Sequence, residues 1–409
     1  MLEYKISDIR DYFDKAAKFS SSDRGVTRLF CSEEHKALLP VLRNWMEGAG
    51  LQVRLDALGN LRGFKKSKNK EAKTLIIGSH QDSVIEGGKY DGILGVLLPL
   101  YVLKRMHEQE IELNYHIELI AFGDEEGVRF PKTLLGSKSL CGDVCSADLE
   151  VVDKDGVTLK SALEFLGANT NEITKCAYDK DDVLGFFEVH IEQGPVLESE
   201  SLPVGVVTAI TGIERHRLFI QGKANHAGTT PMDMRQDALV TASHIICFAN
   251  DLFCNTENLV GVVGELNVYP NAVNVIPDRV DLTVEIRSPD KKIRQEAAEK
   301  IYQYANKLAS EQNTAINFNH NYEMDGIKCD EKLQSILGEA IEKNNRPVFH
   351  LFSGAGHDGL AMDRLTGVAM LFLRCKEGLS HHHEEDIDYH DAIIAAEVIE
   401  TFLLELEEA

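Results

Sequence analysis

Strand-like apolar runs that alternate with helical segments toward both ends of this 409-residue chain predict an α/β fold with a doubly wound, mostly parallel sheet. Between those ends the segments follow the order βαββαβ, which predicts a smaller ferredoxin-like α+β unit inserted into the larger one. Length agrees, because a domain usually holds about 100–200 residues and this chain exceeds one ordinary core. The expected division is residues 1–212 with 327–409 for the larger, discontinuous domain and 213–326 for the insert.

The first sixty residues read as helix, loop and helix. Ser32-Glu33-Glu34 is a capping start, and Leu38, Leu39, Val41, Leu42 and Trp45 form an apolar face before Gly48 and Gly50 end it. Gln52–Leu55 and Thr74–Ile77 read as strands, 95–107 as a helix, and Tyr115–Phe122 as a strand that ends in acids. After Val204–Gly212 the texture changes. The insert reads as a strand at Arg217–Ile220, a helix over 237–250, strands near 260–268 and 280–287, a helix over 291–310 and a strand near 315–318. Glu331–Asn344 then reads as helix and Val368–Leu373 as a buried strand, a return to the first pattern. The chain holds no internal repeat, low-complexity tract or long Pro/Ser linker.

Composition excludes several classes. The formal net charge of −23, from 66 acids against 43 bases, argues against nucleic acid and anionic membranes as partners and favours a small polar substrate or another protein. The amino-terminal stretch Met1–Arg10 carries charge where a signal peptide needs an apolar core, and no segment reaches the roughly 18 apolar residues of a membrane span. A cytoplasmic location is expected. Eight scattered cysteines lack the paired short spacings of a zinc ribbon, so reduced thiols are expected. Cys141 and Cys145 fit one face of a helix, where small buried residues explain them better than a metal does.

Four stretches carry chemistry. In Gly78-Ser79-His80-Gln81-Asp82-Ser83-Val84 and the following Gly87-Gly88-Lys89-Tyr90-Asp91-Gly92, a histidine and two aspartates stand among glycines directly after a strand. Open α/β sheets place their ligands at such strand ends. Gly123-Asp124-Glu125-Glu126-Gly127 follows its own strand in the same way, and three adjacent acids there call for positive charge between them, although a solvated loop would also explain Glu125 and Glu126 standing alone. Phe187–Pro195 presents His190 and Glu192 on one face of an alternating strand, and Leu379–Glu385 holds three consecutive histidines. A lone histidine is more often a hydrogen-bonded core or surface residue than a ligand. Together, however, His80, Asp91, Glu126, His190 and His381 offer three imidazoles and two carboxylates, a donor set for zinc, manganese, cobalt or nickel rather than magnesium or calcium. Five ligands suffice for two ions about 3.5 Å apart if one carboxylate bridges, and Asp91 suits that place.

These motifs, with Glu125-Glu126-Gly127-Val128-Arg129-Phe130, Leu135-Gly136-Ser137, His190-Ile191-Glu192-Gln193-Gly194, His226-Ala227-Gly228-Thr229-Thr230-Pro231-Met232, Asn274-Val275-Ile276-Pro277 and Ser353-Gly354-Ala355-Gly356-His357-Asp358, resemble the metal-dependent M20 amidase family. The resemblance lies with the branch of N-carbamoyl-L-amino acid hydrolases, allantoate amidohydrolases and β-ureidopropionases, and it extends over essentially the whole chain. It implies that His80, Asp91 and His190 hold one divalent ion and Asp91, Glu126 and His381 another, with Asp82 orienting His80. It implies Glu125 as the general base that takes a proton from water and delivers it to the leaving nitrogen. The small domain would be a lid and a dimerisation surface. His226, often from the partner subunit, would stabilise the oxyanion, and Gln193, Asn274, Arg287 and His357 would bind substrate, Arg287 forking onto a carboxylate. From the residues alone, Arg287 could equally be a surface ion pair and Asn274 a turn former. One departure stands out: the family pattern after the last ligand histidine runs Ser-Pro and an acid, where this chain has His382 and His383.

The expected activity is hydrolysis of the ureido C–N bond of an N-carbamoyl-L-amino acid or similar carboxylated ureido compound, releasing ammonia and carbon dioxide, by a homodimer. Allantoate is the nearest alternative substrate, and an M20 peptidase or aminoacylase is a second. The non-enzymatic alternative, an inactive metal-binding homologue, would be expected to have lost the base or a ligand, whereas Glu125 and all five ligand positions are filled.

Overall fold

A computed structural model describes residues 2–408, with side chains described to 406, and divides into two compact units. The larger comprises the chain up to Thr208 and from Lys328 onward, and the smaller spans Ala209–Ile327.

The larger unit opens with α1 (Ile6–Ala16) and α2 (Glu33–Gly48), whose N-terminus is capped by Ser32 accepting the His35 N–H. Strands β1 (Gln52–Leu55), β2 (Leu61–Lys65) and β3 (Thr74–His80) follow, then α3 (Leu94–Glu108) and β4 (His116–Phe122). Further along come α4 (Leu135–Leu140), α5 (Leu159–Leu166), β5 (Val183–Ile191), α6 (Val196–Ser199) and β6 (Val204–Ile210). Cys141 and Cys145 do not share a helical face: α4 ends at Cys141, and Cys145 starts a separate 3₁₀ turn. All eight cysteines are free thiols.

The small unit is built from β7 (Gly212–Gln221), α7 (Ala238–Cys254), β8 (Val260–Tyr269), β9 (Arg279–Ser288), α8 (Lys291–Gln312) and β10 (Ala315–Met324). This is the βαββαβ order, and its sheet runs β10-β7-β9-β8, antiparallel throughout. Alternate residues of β7 and β9, such as Leu218, Ile220, Val280, Leu282 and Val284, join Ala242, Ile245, Ala298 and Ile301 of α7 and α8 in a core of its own.

The chain returns through β11 (Ile327–Lys328), α9 (Glu331–Lys343), β12 (His350–Ser353), α10 (Gly359–Met362), β13 (Val368–Leu373) and α11 (Tyr389–Glu408). The large sheet runs β1-β2-β4-β3-β5-β13-β6-β11, with β12 pairing β6. Its four middle strands, β4, β3, β5 and β13, are parallel, and antiparallel pairs flank them. Those middle strands are buried almost throughout, as expected of strands covered on both faces, and α3 buries Leu94, Leu97, Tyr101 and Met106 in the same core. Among the described residues, no helix is long and apolar enough to cross a membrane.

Candidate metal centre

The middle strands β3, β4, β5 and β13 all end at the same edge of the sheet, because they are parallel. The chain order reverses between β3 and β5, so their carboxyl ends border a crevice of the kind that binds ligands in doubly wound sheets. Ile77 pairs with Phe187, and three residues further along each strand stand His80 and His190, whose ring centroids are 5.8 Å apart. Just beyond β4 come Glu125 and Glu126, and beyond β13 the chain reaches His381.

Each strand-end imidazole is held by main chain. His80 Nδ1 lies 2.9 Å from the Asp82 carbonyl and His190 Nδ1 2.9 Å from the Ile191 carbonyl. A carbonyl only accepts, so both Nδ1 atoms carry a proton and both Nε2 atoms face the cluster, that of His190 accepting the Gly92 N–H at 3.2 Å and so keeping a lone pair. Those Nε2 atoms stand 4.0 and 3.4 Å from Asp91 Oδ1, while His381 Nε2 stands 3.2 Å from Asp91 Oδ2 and 3.7 Å from Glu126 Oε1. Potential donor atoms of His80, Asp91 and His190 lie within 4.8 Å of one another, as do those of Asp91, Glu126 and His381. Asp91 belongs to both groups. Of the three consecutive histidines only His381 enters this set: His383 Nε2 accepts from Arg24 Nε and His382 faces Glu384.

The backbone bends hard to aim these groups. Asp124 (φ 60), Gln193 (φ 58) and His381 (φ 54) all occupy the left-handed region that non-glycine residues avoid, each beside or within the set. Gly92 (φ 67) is required for a further reason: a Cβ there would lie 2.3 Å from the His80 ring.

Electrostatics set the demand for a cation. Asp91 Oδ2 and Glu126 Oε1 are buried without a well-directed hydrogen bond. Burial raises Glu125 well above the ordinary carboxyl range, with His80 opposing and Glu126, Asp358 and Asp82 adding to the rise. Burial and the nearby Asp91 push Glu126 up to about 7. Burial would also raise Asp91, but His381, His190 and His80 together hold it below the usual range. His190 is lowered to about 4, chiefly by burial, which leaves its imidazole neutral and able to ligate. The same acids raise His80 well above the usual imidazole range against its burial, and a hydrogen bond to Asp91 raises His381 to about 9, so the cluster calls for positive charge that divalent ions bound by nitrogen and oxygen would supply.

Asp82 differs from expectation in detail. Its carbonyl, not its carboxylate, meets His80 Nδ1; the carboxylate stands 3.8 Å from that nitrogen and accepts the backbone N–H groups of Glu125 and Glu126 at 3.2 and 3.3 Å. Gln193 donates Nε2–H to Asp91 Oδ1 and to Ser380 Oγ, each at 3.1 Å. His357 is buried against Ser353 Oγ at 2.7 Å with its ring 4.5 Å from that of His190. One residue in the same shell escaped sequence reasoning. Glu385 Oε1 accepts the N–H groups of Tyr90 and Asp91 at 3.0 and 3.1 Å, and its Oε2 accepts from Ser380 Oγ at 3.0 Å. Its position four residues after His381 was the available signal.

The remaining three expected site residues lie in the small unit. His226 is exposed on a loop bridged to Val275, and the Ala227 N–H donates to the Asn274 carbonyl at 2.9 Å, so His226 and Asn274 are neighbours. Arg287 stands near the far end of β9 and donates Nε–H to Glu285 Oε1 at 2.8 Å.

The model of peptidase family M20/M25/M40 matches residues 76–405. The chain is 36% identical over 375 residues to an N-carbamoyl-L-amino acid amidohydrolase of Geobacillus stearothermophilus, covering 92% of each chain. It is 37% identical over 411 residues to an allantoate deiminase of Arabidopsis thaliana, covering 92% of this chain and 78% of that one. Among solved structures, an amidase of the hydantoinase/carbamoylase family from Burkholderia multivorans superposes with a TM-score of 0.93 at 29% identity over 99% of this chain and 98% of that chain.

Proposed function

The chain belongs to peptidase family M20/M25/M40, and from that footing we propose that it is an amidohydrolase cleaving the ureido C–N bond of an N-carbamoyl-L-amino acid. The observation that carries the reading is that Asp91 belongs to two donor groups at once, with Glu125 beside them. His80, Asp91 and His190 would hold one divalent ion and Asp91, Glu126 and His381 the second, zinc or else manganese, cobalt or nickel. Bound there, the two ions supply Lewis-acid polarisation of the ureido carbonyl and make water a nucleophile near neutral pH.

The chain's own residues do the rest. Glu125 takes a proton from the attacking water and returns it to the leaving nitrogen, a task suited to a buried carboxyl whose proton affinity is raised well above the ordinary carboxyl range. Asp82 accepts the N–H groups of Glu125 and Glu126 and so keeps base and ligand in register, while its carbonyl aims His80. Addition of one water to R–NH–CO–NH₂ yields R–NH₂, carbon dioxide and ammonia. His226 stabilises the oxyanion, Arg287 forks onto the substrate carboxylate, and Gln193, Asn274 and His357 contact the substrate.

The small unit acts as lid and dimerisation surface. Its edge strand β8 exposes Val260, Val262 and Leu266, an apolar row suited to a second copy. Free cysteines suit the cytoplasm. Allantoate is the second reading, favoured by the 37% identity to the Arabidopsis enzyme.

The test is ammonia release from allantoate, N-carbamoyl-β-alanine, several N-carbamoyl-L-amino acids and N-acetyl controls, using protein stripped of metal and reloaded with zinc, manganese, cobalt or nickel. Turnover is expected on the N-carbamoyl-L-amino acids. Glu125→Gln should keep its metal and lose about 10²–10⁴ in kcat. Exclusive turnover of N-acetyl substrates would refute the ureido reading, and a near-normal Glu125→Gln rate would remove that residue from the mechanism.

A further inference from the structure

A second cluster of potential ligands lies wholly within the small unit. His216 on β7 and His320 on β10 face each other in register, with ring centroids 4.9 Å apart, and Glu214 sits two residues earlier on the His216 face. Potential donor atoms of Glu214, His216 and His320 all lie within 4.8 Å of one another. A one-residue bulge between His320 and Tyr322 then sets Glu323 opposite Glu214, so a fourth donor returns to this face where unbroken alternation would have turned it away. Glu214, His216, His320 and Glu323 line one cleft of about 390 Å³ beneath α8, beside Gln295, Glu299 and Tyr302.

Ordinary packing explains part of this cluster and leaves part unexplained. Glu214 has a counter-charge, since the fully buried Arg294 places Nε 3.6 Å from Glu214 Oε1. Lys291 Nζ holds Glu323 at 2.8 Å. His216 is different: it is only 5% exposed, its Nε2 stands 3.4 Å from Glu214 Oε2 without a well-directed hydrogen bond, and its Nδ1 has no hydrogen-bond partner. Burying an imidazole with an unanswered lone pair costs free energy that a core leucine would avoid. On the facing strand, His320 Nε2 lies 3.1 Å from the Tyr322 carbonyl. That nitrogen must donate, so Nδ1 keeps a lone pair, the same arrangement that orients ligand histidines elsewhere.

We propose that Glu214, His216 and His320 form a cation site separate from the active centre, which binds a late first-row divalent ion such as zinc and clamps the edge strand β10 to β7. Two imidazoles and a carboxylate select such ions over magnesium or calcium. Glu323 is placed to complete the shell on leaving Lys291.

The test counts zinc by elemental analysis in full-length protein, stripped and then dialysed against zinc. His320→Gln is the primary variant, since an exposed strand residue can change without unfolding the unit. The variant is expected to bind one zinc fewer per chain than wild type, while ammonia release is unchanged. A second variant, His381→Ala, should keep the zinc that adding His320→Gln removes. Equal zinc in wild type and His320→Gln overturns the proposal, as does a His381→Ala protein whose zinc content is indifferent to His320→Gln.

Discussion

Glu385 shows how a residue outside the proposed ligand set can govern one inside it. Its carboxylate holds the N–H groups of Tyr90 and Asp91 and so fixes the backbone from which Asp91 reaches both donor groups. Glu385→Ala leaves two buried donors unanswered and lets Asp91 shift; it should weaken metal binding about 10–100-fold. Glu385→Gln keeps an acceptor oxygen and should bind nearly as the wild type does. Competition against a chromophoric chelator measures both, and equal affinities for Ala and wild type would remove Glu385 as a positioning residue. The ligand types were legible because histidine and acid beside glycine after a strand form a local pattern. Glu385 was not, because its partners lie 294 and 295 residues away. Asp82 teaches the same lesson differently. Its identity suggested a carboxylate behind His80, yet the carbonyl does that work, and no residue type reports what its main chain binds.

At the scale of elements, β2 is one of the strands that periodicity missed, with β11 and β12. Leu61-Arg62-Gly63-Phe64-Lys65 has glycine at its centre and two cations, a composition that gives no strand signal. It pairs with β4 because Arg62 is buried and forks onto Glu118, Nε to Oε1 at 2.9 Å and Nη2 to Oε2 at 2.7 Å. Tyr178 adds its hydroxyl to Glu118 at 2.6 Å, and Arg62 also donates to the Cys176 carbonyl at 3.0 Å. Arg62→Met leaves the buried Glu118 only the more distant Arg54, at 3.7 Å, takes the counter-charge from Asp56, and should cost about 3–5 kcal/mol, read from urea unfolding of metal-free protein. Arg62→Met with Glu118→Leu removes both charges of the fork and should recover part of that loss, Asp56 keeping its hydrogen bonds from Leu58 and Asn60. If the single variant unfolds at the wild-type midpoint, the pair does not anchor β2.

At the scale of the whole molecule the question is which copy supplies which group. Arg287 is eight residues along β9 from Arg279, about 27 Å of strand rise, whereas His226 and Asn274 belong to the loops before that strand begins. One small unit therefore cannot set Arg287 beside His226, and a site that uses both would draw them from two copies. Glu125→Gln and His226→Ala homodimers should each be nearly inactive. Unfolded together and refolded, they should regain about a quarter of the wild-type rate, since half of randomly paired dimers are mixed and each mixed dimer has one intact site. No recovery in mixtures shown to contain mixed dimers would confine His226 to its own subunit. The sequence by itself determined the two-unit plan, the types of the candidate ligands and the placement of His80 and of Glu125 and Glu126 after their strands, because hydrophobic period and residue type act within a few neighbours. Only the tertiary structure decided that His80 meets His190 across the β3–β5 register, that His381 rather than His382 or His383 reaches Asp91, and that Glu323 comes back to Glu214 through a bulge. Parallel strands pair across long crossovers, and a bulge shifts a face by one residue, so these meetings depend on contacts that no local pattern encodes.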